Sequence, residues 1–222
     1  MTEIGDKWRK FLLVSGFLAS LLAVGTDWLA GMLWEGYSFT SQSISELSAI
    51  GAPTRSLVLA FNLLYALLLV AFGLGVWGHG RKRVMRIIAG LLLGNAAITV
   101  VVVTFFPMHL GETLSAIHLG LMAVNVILLQ MLTILFGAVA FRNWFRHYSI
   151  GTLLAFLVLT VFGIFVAPQI IPGPPQSGLQ ERVMGYSFLL WQALLSLVLL
   201  RMESRSSQQN NDTKKTRFVL WI

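Results

Sequence analysis

The chain of 222 residues contains no cysteine and few charged residues. Without cysteine it can form no disulfide, thiolate nucleophile, iron–sulfur cluster or cysteine-ligated zinc site. Charged residues make up 11% of the sequence, against about 25% in a typical soluble domain. Because 56% of the residues are also hydrophobic, the composition excludes an ordinary soluble protein.

Long apolar runs take up most of the chain. Six of them are long enough for an α-helix to cross a hydrocarbon core of roughly 30 Å. We therefore predict an all-α polytopic integral membrane protein, a bundle of six transmembrane helices with a short extracytoplasmic lid segment. The predicted spans are residues 11–34, 56–77, 84–106, 114–140, 150–167 and 182–200. They form one domain over 1–200, followed by a basic cytoplasmic tail over 201–222 whose polar composition predicts disorder.

The basic residues predict the orientation of the bundle. Six spans place both termini on one side, and all but two of the 16 lysine and arginine residues fall on that side. The two exceptions are Arg55 and Arg182. Basic residues are enriched on the cytoplasmic side of membrane proteins, so we expect both termini in the cytoplasm. The net charge of +7 then indicates contact with anionic membrane lipid, and no nucleic-acid partner is expected.

The longest polar interruption is YSFTSQSISELSAIGAP, residues Tyr37 to Pro53, called the lid below. Within it, Ser43 and Glu46 have the S-x-x-E spacing of a capping box, in which each side chain bonds the backbone N–H of the other residue. We expect a short, stiff helical segment that covers the outer end of the bundle. The lid would bring Ser45 and Glu46 to that end.

The acidic residues are distributed in the opposite way to the basic ones. On or near the outer side lie Asp27, Glu35, Glu46, Glu112 and Glu181. An ionisable group inside a span costs about 2.5–3.5 kcal/mol and usually faces the interior of the bundle, where it has a function. Two groups fit this description: Asp27, roughly 10 Å from the outer end of its span, and His118, roughly 6 Å deep.

Further residues, most of them polar, follow helical spacing at a similar depth. They are Ser115, Met122 and Asn125 with His118, Asn95 and Thr99 in the third span, Asn62 in the second, and Glu181, Gly185, Phe188, Gln192 and Ser196 near or in the sixth. Residues at this spacing share one face of a helix, so the stripes should converge on a polar cavity that opens outward.

Each of these groups also has a structural interpretation. Asparagine and glutamine often link transmembrane helices through hydrogen bonds, at about 0.6 kcal/mol each. For Asp27, an ion pair with Arg55 or Arg182 is an equal alternative to a functional role. His118 has a rival role as a packed, hydrogen-bonded histidine.

No metal or cofactor is expected. His118, His109, Asp27 and Glu181 are nitrogen and oxygen donors in the outer half, but they lack the H-x-x-x-H or H-E-x-x-H spacing of a metal site. A haem with two axial histidines would need a second histidine inside the membrane, and His79 and His147 lie on the cytoplasmic side.

Four segments together resemble a known family. They are the lid sequence, FFP at Phe105 to Pro107, SAIHLG around His118, and GLQERV before a span with Trp191. Over about residues 11–200 the chain is similar to the uncharacterised prokaryotic membrane proteins grouped as domain of unknown function 998. The resemblance implies about six helices and no assigned activity. Its motif positions are Ser43, Ser45, Glu46, Pro53, Phe106, Pro107, His118, Glu181 and Arg182. The family pattern has an acid shortly after the FP pair, where this chain has Met108 and His109.

The leading functional hypothesis is a multi-pass protein of the cell (inner) membrane whose outward cavity binds a small amphiphile or lipid headgroup. The ligand-binding candidates are Ser43, Ser45, Arg55, Asn62, His109, Asn125, Glu181 and Arg182. The guanidinium groups among them suit an anionic head.

Two other functional classes remain open. The first is an intramembrane hydrolase or lipid-modifying enzyme, with His118 as general base and Asp27 or Glu46 as its partner within hydrogen-bond reach. The second is a structural or assembly subunit, for which we expect a filled interior without a cavity.

Overall fold

The computed structural model describes residues 3–79, 83–110, 116–162 and 177–219. Its elements are α1 (Glu3–Leu33), a 3₁₀ turn (Ser45–Ser48), α2 (Arg55–His79), α3 (Arg83–Phe105), α4 (Ala116–Ala123), a π-helical segment (Val124–Gln130), α5 (Met131–Ala140), α6 (Trp144–Val161) and α7 (Ser177–Val219). Helices α4 and α5 and the π-helical segment follow one another without a break. Glu112 and the proline-rich run over 168–176 lie outside the described residues.

The described residues contain six helical spans long and apolar enough to cross a membrane. The predicted all-α polytopic bundle is therefore confirmed. Helix α1 packs against α2 and α7, α2 packs against α3, and α6 lies at the side against α5 and α7.

Local sequence explains where two of the helices begin and end. Helix α3 ends at Phe105, one residue before the Phe106–Pro107 pair, because a proline disfavours helical backbone in the residue that precedes it. Helix α2 begins after Thr54, whose carbonyl accepts from the N–H of Val58 at 3.0 Å. The Thr54 hydroxyl also donates to the carbonyl of Leu47 at 2.9 Å, which fixes the lid to the start of α2.

Two boundaries differ from the expectation. Helix α6 begins at Trp144, where the sequence predicts a span from residue 150. Helix α7 continues to Val219, where the sequence predicts a disordered tail. No glycine or proline follows Gly185 within α7, so nothing in that stretch breaks the helix despite its polar composition.

The half of the bundle remote from the lid is filled by large side chains. A Cβ added to Gly16 of α1 would lie 2.6 Å from the ring of Phe72, so α1 and α2 are in close contact. Trp191 is fully buried and donates from Nε1 to Ser149 Oγ at 2.9 Å. Small residues and buried hydrogen bonds of this kind hold transmembrane helices together in lipid.

An ion cluster closes the same end of the bundle. The buried carboxylate of Glu203 in α7 contacts Arg9 Nη1 at 3.3 Å and His79 Nδ1 at 3.1 Å. It joins the start of α1, the end of α2 and the late part of α7. The alternation of six spans requires these three segments to meet on one side, opposite the lid.

The lid has a defined conformation of its own. The N–H of Ser43 donates to Glu46 Oε1 at 3.0 Å and the N–H of Glu46 donates to Ser43 Oγ at 3.3 Å, as the S-x-x-E spacing predicts. Further along, Ile50 donates to the carbonyl of Met108 at 2.7 Å and accepts from the N–H of Leu110 at 3.0 Å. The lid is thus fixed to the connection that follows α3.

Candidate functional site

A cavity of about 210 Å³ lies beneath the lid. Side chains from α1, the lid, α2, α3, the fourth span and α7 line it, while the lateral helix α6 contributes none of the described lining residues. The polar residues of the wall are Thr26, Asp27, Ser45, Ser48, Asn62, Tyr65, Asn95, Thr99, His118, Asn125, Gln130, Glu181 and Tyr186. The polar stripes of several helices therefore meet in one space.

Arg182 connects α7 to α1 and to the lid. Its Nε donates to Asp27 Oδ2 at 3.0 Å and its Nη2 to Asp27 Oδ1 at 2.8 Å. Its Nη1 donates to the lid carbonyls of Phe39 at 2.7 Å and Gln42 at 2.8 Å. Nη2 also donates to the Tyr37 hydroxyl at 2.6 Å. A guanidinium has five N–H groups, and these contacts use all five, so the geometry favours a structural role over capture of an anionic ligand.

Two tyrosines complete this network. The Tyr186 hydroxyl donates to Asp27 Oδ2, and the Tyr37 hydroxyl donates to the carbonyl of Ser43 at 2.8 Å. Burial raises the pKa of Tyr37 to about 12, so its phenol keeps its proton and remains a donor at neutral pH. Asp27 thus accepts a paired contact from Arg182 and a third bond from Tyr186, as expected for an anchored carboxylate.

Glu181 ties the start of α7 to the lid a second time. Its Oε2 accepts from the N–H of Ile44 at 2.8 Å and its Oε1 from the Ser45 hydroxyl at 3.0 Å. Close packing occurs one turn earlier, since a Cβ added to Gly178 would lie 2.8 Å from the Phe39 carbonyl oxygen. Lid and α7 therefore form one fixed unit over the cavity.

His118 is buried in the cavity wall, with its Nδ1 2.8 Å from the carbonyl oxygen of Phe106. A carbonyl only accepts, so Nδ1 carries the proton of this bond. The predicted catalytic partners are engaged elsewhere. Glu46 accepts from Ser43 and from Gln42 Nε2, the latter at 3.0 Å. Asp27 accepts from Arg182 and from Tyr186.

Two amides of the cavity wall lack hydrogen-bond partners among the described residues. They are Nδ2 of Asn95, a side chain 2% exposed, and Oδ1 of Asn125, 6% exposed. A buried polar group without a partner costs about 1–3 kcal/mol. Asn125 also lies in the π-helical segment, a rare conformation that is frequent at functional sites. One unpartnered donor and one unpartnered acceptor thus line the same cavity.

The family described as "Protein of unknown function (DUF998)" matches residues 17–198. The chain belongs to this family. The DUF998 match contains the lid and every described cavity residue. No curated protein and no solved structure matches the chain.

The structure divides the predicted site residues of this DUF998 member into two groups. On the cavity wall lie Asp27, Ser45, Asn62, His118, Asn125 and Glu181. The described wall does not include Ser43, Glu46, Arg55, His109 and Arg182. Ser43 and Glu46 cap the lid turn, Arg55 donates to the Ser48 carbonyl, and His109 lies in the bridge to Ile50.

Sequence reasoning missed Tyr186 and Tyr37 and did not include Asn95 among the site residues. Tyr186 could have been found, because residues four apart on a helix are neighbours and it follows Arg182 by one turn. Among the described residues, no three histidine, aspartate or glutamate side chains gather as a metal site would require.

Proposed function

We propose that the cavity binds the polar head of a small amphiphile from the membrane. The observation that carries this proposal is the pair of unpartnered amide groups on Asn95 and Asn125. A ligand with one hydrogen-bond acceptor and one donor, such as a hydroxyl group, satisfies both amides at once.

The charges of the wall favour an uncharged head. The described lining residues include no lysine or arginine, and the nearby guanidinium of Arg182 is used by Asp27 and the lid. A phosphate or carboxylate here would be a buried charge without a counterion, which is strongly unfavourable. A head that carries hydroxyl or amide groups, of the size of glycerol, fits the cavity of about 210 Å³.

Replacing Asn125 by leucine tests the proposal. We expect at least about a tenfold loss of bound amphiphile, since one hydrogen bond and its geometry are removed. After delipidation, thermal stability should stay the same or rise, because the ligand-free variant no longer buries an unpartnered amide oxygen. The measurements are mass spectrometry of the lipid retained per mole of protein and thermal unfolding of the same sample after delipidation.

Gln192→Leu is the matched control. Gln192 is fully buried and lies outside the described cavity wall. Its Nε2 donates to the Gly16 carbonyl and to Ser20 Oγ, both at 3.1 Å, while its Oε1 has no partner among the described residues. This variant should lose stability while each folded molecule retains its amphiphile. Equal amphiphile content in Asn125→Leu and the wild type would refute the proposed function.

We also propose that the lid faces away from the cytoplasm of the cell membrane and that both termini are cytoplasmic. The support is the concentration of lysine and arginine at the end opposite the lid. Because the chain has no cysteine, single substitutions report orientation directly. A membrane-impermeant maleimide should label the exposed position in Glu35→Cys on intact cells, and Ser204→Cys only after lysis. The reverse pattern would contradict the orientation.

A further inference from the structure

We infer that the ligand is a single-chain amphiphile whose acyl chain leaves the cavity between α1 and α2 and lies in a groove on their lipid-facing side. The inference rests on the proposed function and adds the class of ligand and its route. It comes from a second concavity, a groove of about 510 Å³ that shares the wall residue Thr26 with the cavity.

The groove is apolar and faces the membrane. Its walls are formed by Leu18, Leu21 and Leu29 of α1 and by Phe61, Leu64 and Leu68 of α2. Leu18, Leu21, Leu29 and Leu64 are large exposed hydrophobic residues on spanning helices, so lipid is their natural neighbour. The described lining contains no ionisable residue, and the Thr26 hydroxyl is bonded within its own helix to the Leu22 carbonyl at 2.7 Å.

Cavity and groove share a wall. Thr26 lines both of them. On α2, Asn62 lines the cavity while its neighbour Phe61 lines the groove. Thr26, itself buried, therefore stands between the two spaces at the contact of α1 with α2, and a chain attached to a head in the cavity would pass beside it.

The length and direction of the groove match one acyl chain. From Leu18 to Leu29 it extends roughly 16 Å along α1 at about 1.5 Å per residue, close to half of a hydrocarbon core of roughly 30 Å. Leu29 lies near the lid end of α1, whereas Leu18 lies near its middle. A chain in the groove would thus run from the lid side toward the bilayer midplane, like a lipid of that leaflet. A ligand with one acyl chain in the groove and an uncharged head in the cavity is a monoacylglycerol or a similar single-chain ester, amide or alcohol.

A photoreactive monoacylglycerol, with a diazirine near the end of an oleoyl chain, tests the route. The full-length protein in phosphatidylcholine nanodiscs is irradiated with this probe, and the adducts are mapped by mass spectrometry. We expect adducts at the deep end of the groove, on residues 18–22 and 64–68. They should fall at least about tenfold in Gly185→Leu, which blocks the head from the cavity, and persist in Gly90→Leu, which lies outside the described cavity wall. Groove adducts that persist unchanged in Gly185→Leu would come from bulk lipid and would overturn the inference.

A second arm separates this inference from the proposed function. Monobutyrin, a water-soluble glycerol ester with a short chain, should stabilise the wild type against thermal unfolding. Gly25 also lines the groove, and a Cβ at this position meets no atom within 4 Å, so the ring added in Gly25→Phe enters the groove. This variant should keep the monobutyrin effect and lose the groove adducts. Retained groove adducts would overturn the inference alone, whereas a wild type that monobutyrin does not stabilise would refute the head-binding cavity itself.

Discussion

Replacing Arg182 by alanine is expected to lower the free energy of unfolding by about 3–5 kcal/mol, the range observed when one partner of a buried ion pair is removed. Asp27 is 2% exposed and would become a buried carboxylate without its cation. The lid would also lose the donor that the carbonyls of Phe39 and Gln42 share. Transmembrane burial strengthens the effect, because no water is at hand to replace these contacts.

The measurement is unfolding in mixed detergent–lipid micelles, together with hydrogen exchange of the lid amides. Arg201→Ala is the control, because Arg201 is an exposed residue of the same helix and its loss should change stability by no more than about 0.5 kcal/mol. The double variant Asp27→Asn with Arg182→Gln should recover part of the loss, since it leaves no unpaired charge. A change below about 1 kcal/mol in Arg182→Ala would show that the pair does not hold the lid in place.

Filling the cavity through Gly185→Leu is expected to abolish amphiphile binding while the protein stays folded. Gly185 lines the cavity, and a Cβ added to it meets no atom within 4 Å, so the leucine side chain has room to occupy the space of the ligand head. Replacing a glycine within a helix favours folding by up to about 1 kcal/mol, so stability should not fall.

Gly90→Leu is the matched variant for this experiment. Gly90 is exposed on α3, also has open space at its Cβ, and lies outside the described cavity wall. Both proteins are extracted in polymer-bounded membrane discs without detergent, and the associated lipid is quantified by mass spectrometry. A specific species enriched in the wild type and in Gly90→Leu should fall at least about tenfold in Gly185→Leu. Equal enrichment in the two variants would place that lipid outside the cavity.

The number of spans and the internal order of the lid turn followed from sequence for clear physical reasons. The bilayer sets a minimum length for each apolar run, so composition alone locates the spans. The capping pair of Ser43 and Glu46 is local, with both partners three residues apart, and the spacing S-x-x-E is specific enough to predict it.

The ion pair of Arg182 with Asp27 was one of the structural interpretations, but the bonds from Arg182 to the lid could not be predicted in this way. Three of its acceptors are the backbone carbonyls of Phe39, Gln42 and Gly178, and side-chain patterns carry no information about carbonyl positions. The position of Arg182 near polar stripes therefore suggested a ligand contact. In the folded chain its guanidinium N–H groups instead bond the lid.

Long-range partners account for the other omissions. Glu203 is separated from His79 by 124 positions and lies in a polar stretch that resembles a solvated tail, so nothing local predicts its burial. The amide stripes were visible as helical spacing, but whether an amide is bonded depends on side-chain packing. Gln192 Nε2 finds two acceptors on α1, whereas Asn95 Nδ2 finds none among the described residues.

Binding of an uncharged head by Asn95 and Asn125 is tested most directly by an experimental density map of the protein with its native lipid. We expect density for one head within about 3 Å of both amides, continuous with a chain that passes between α1 and α2 beside Thr26. A cavity closed by the protein's own side chains, with the two amides bonded to each other, would contradict this binding mode.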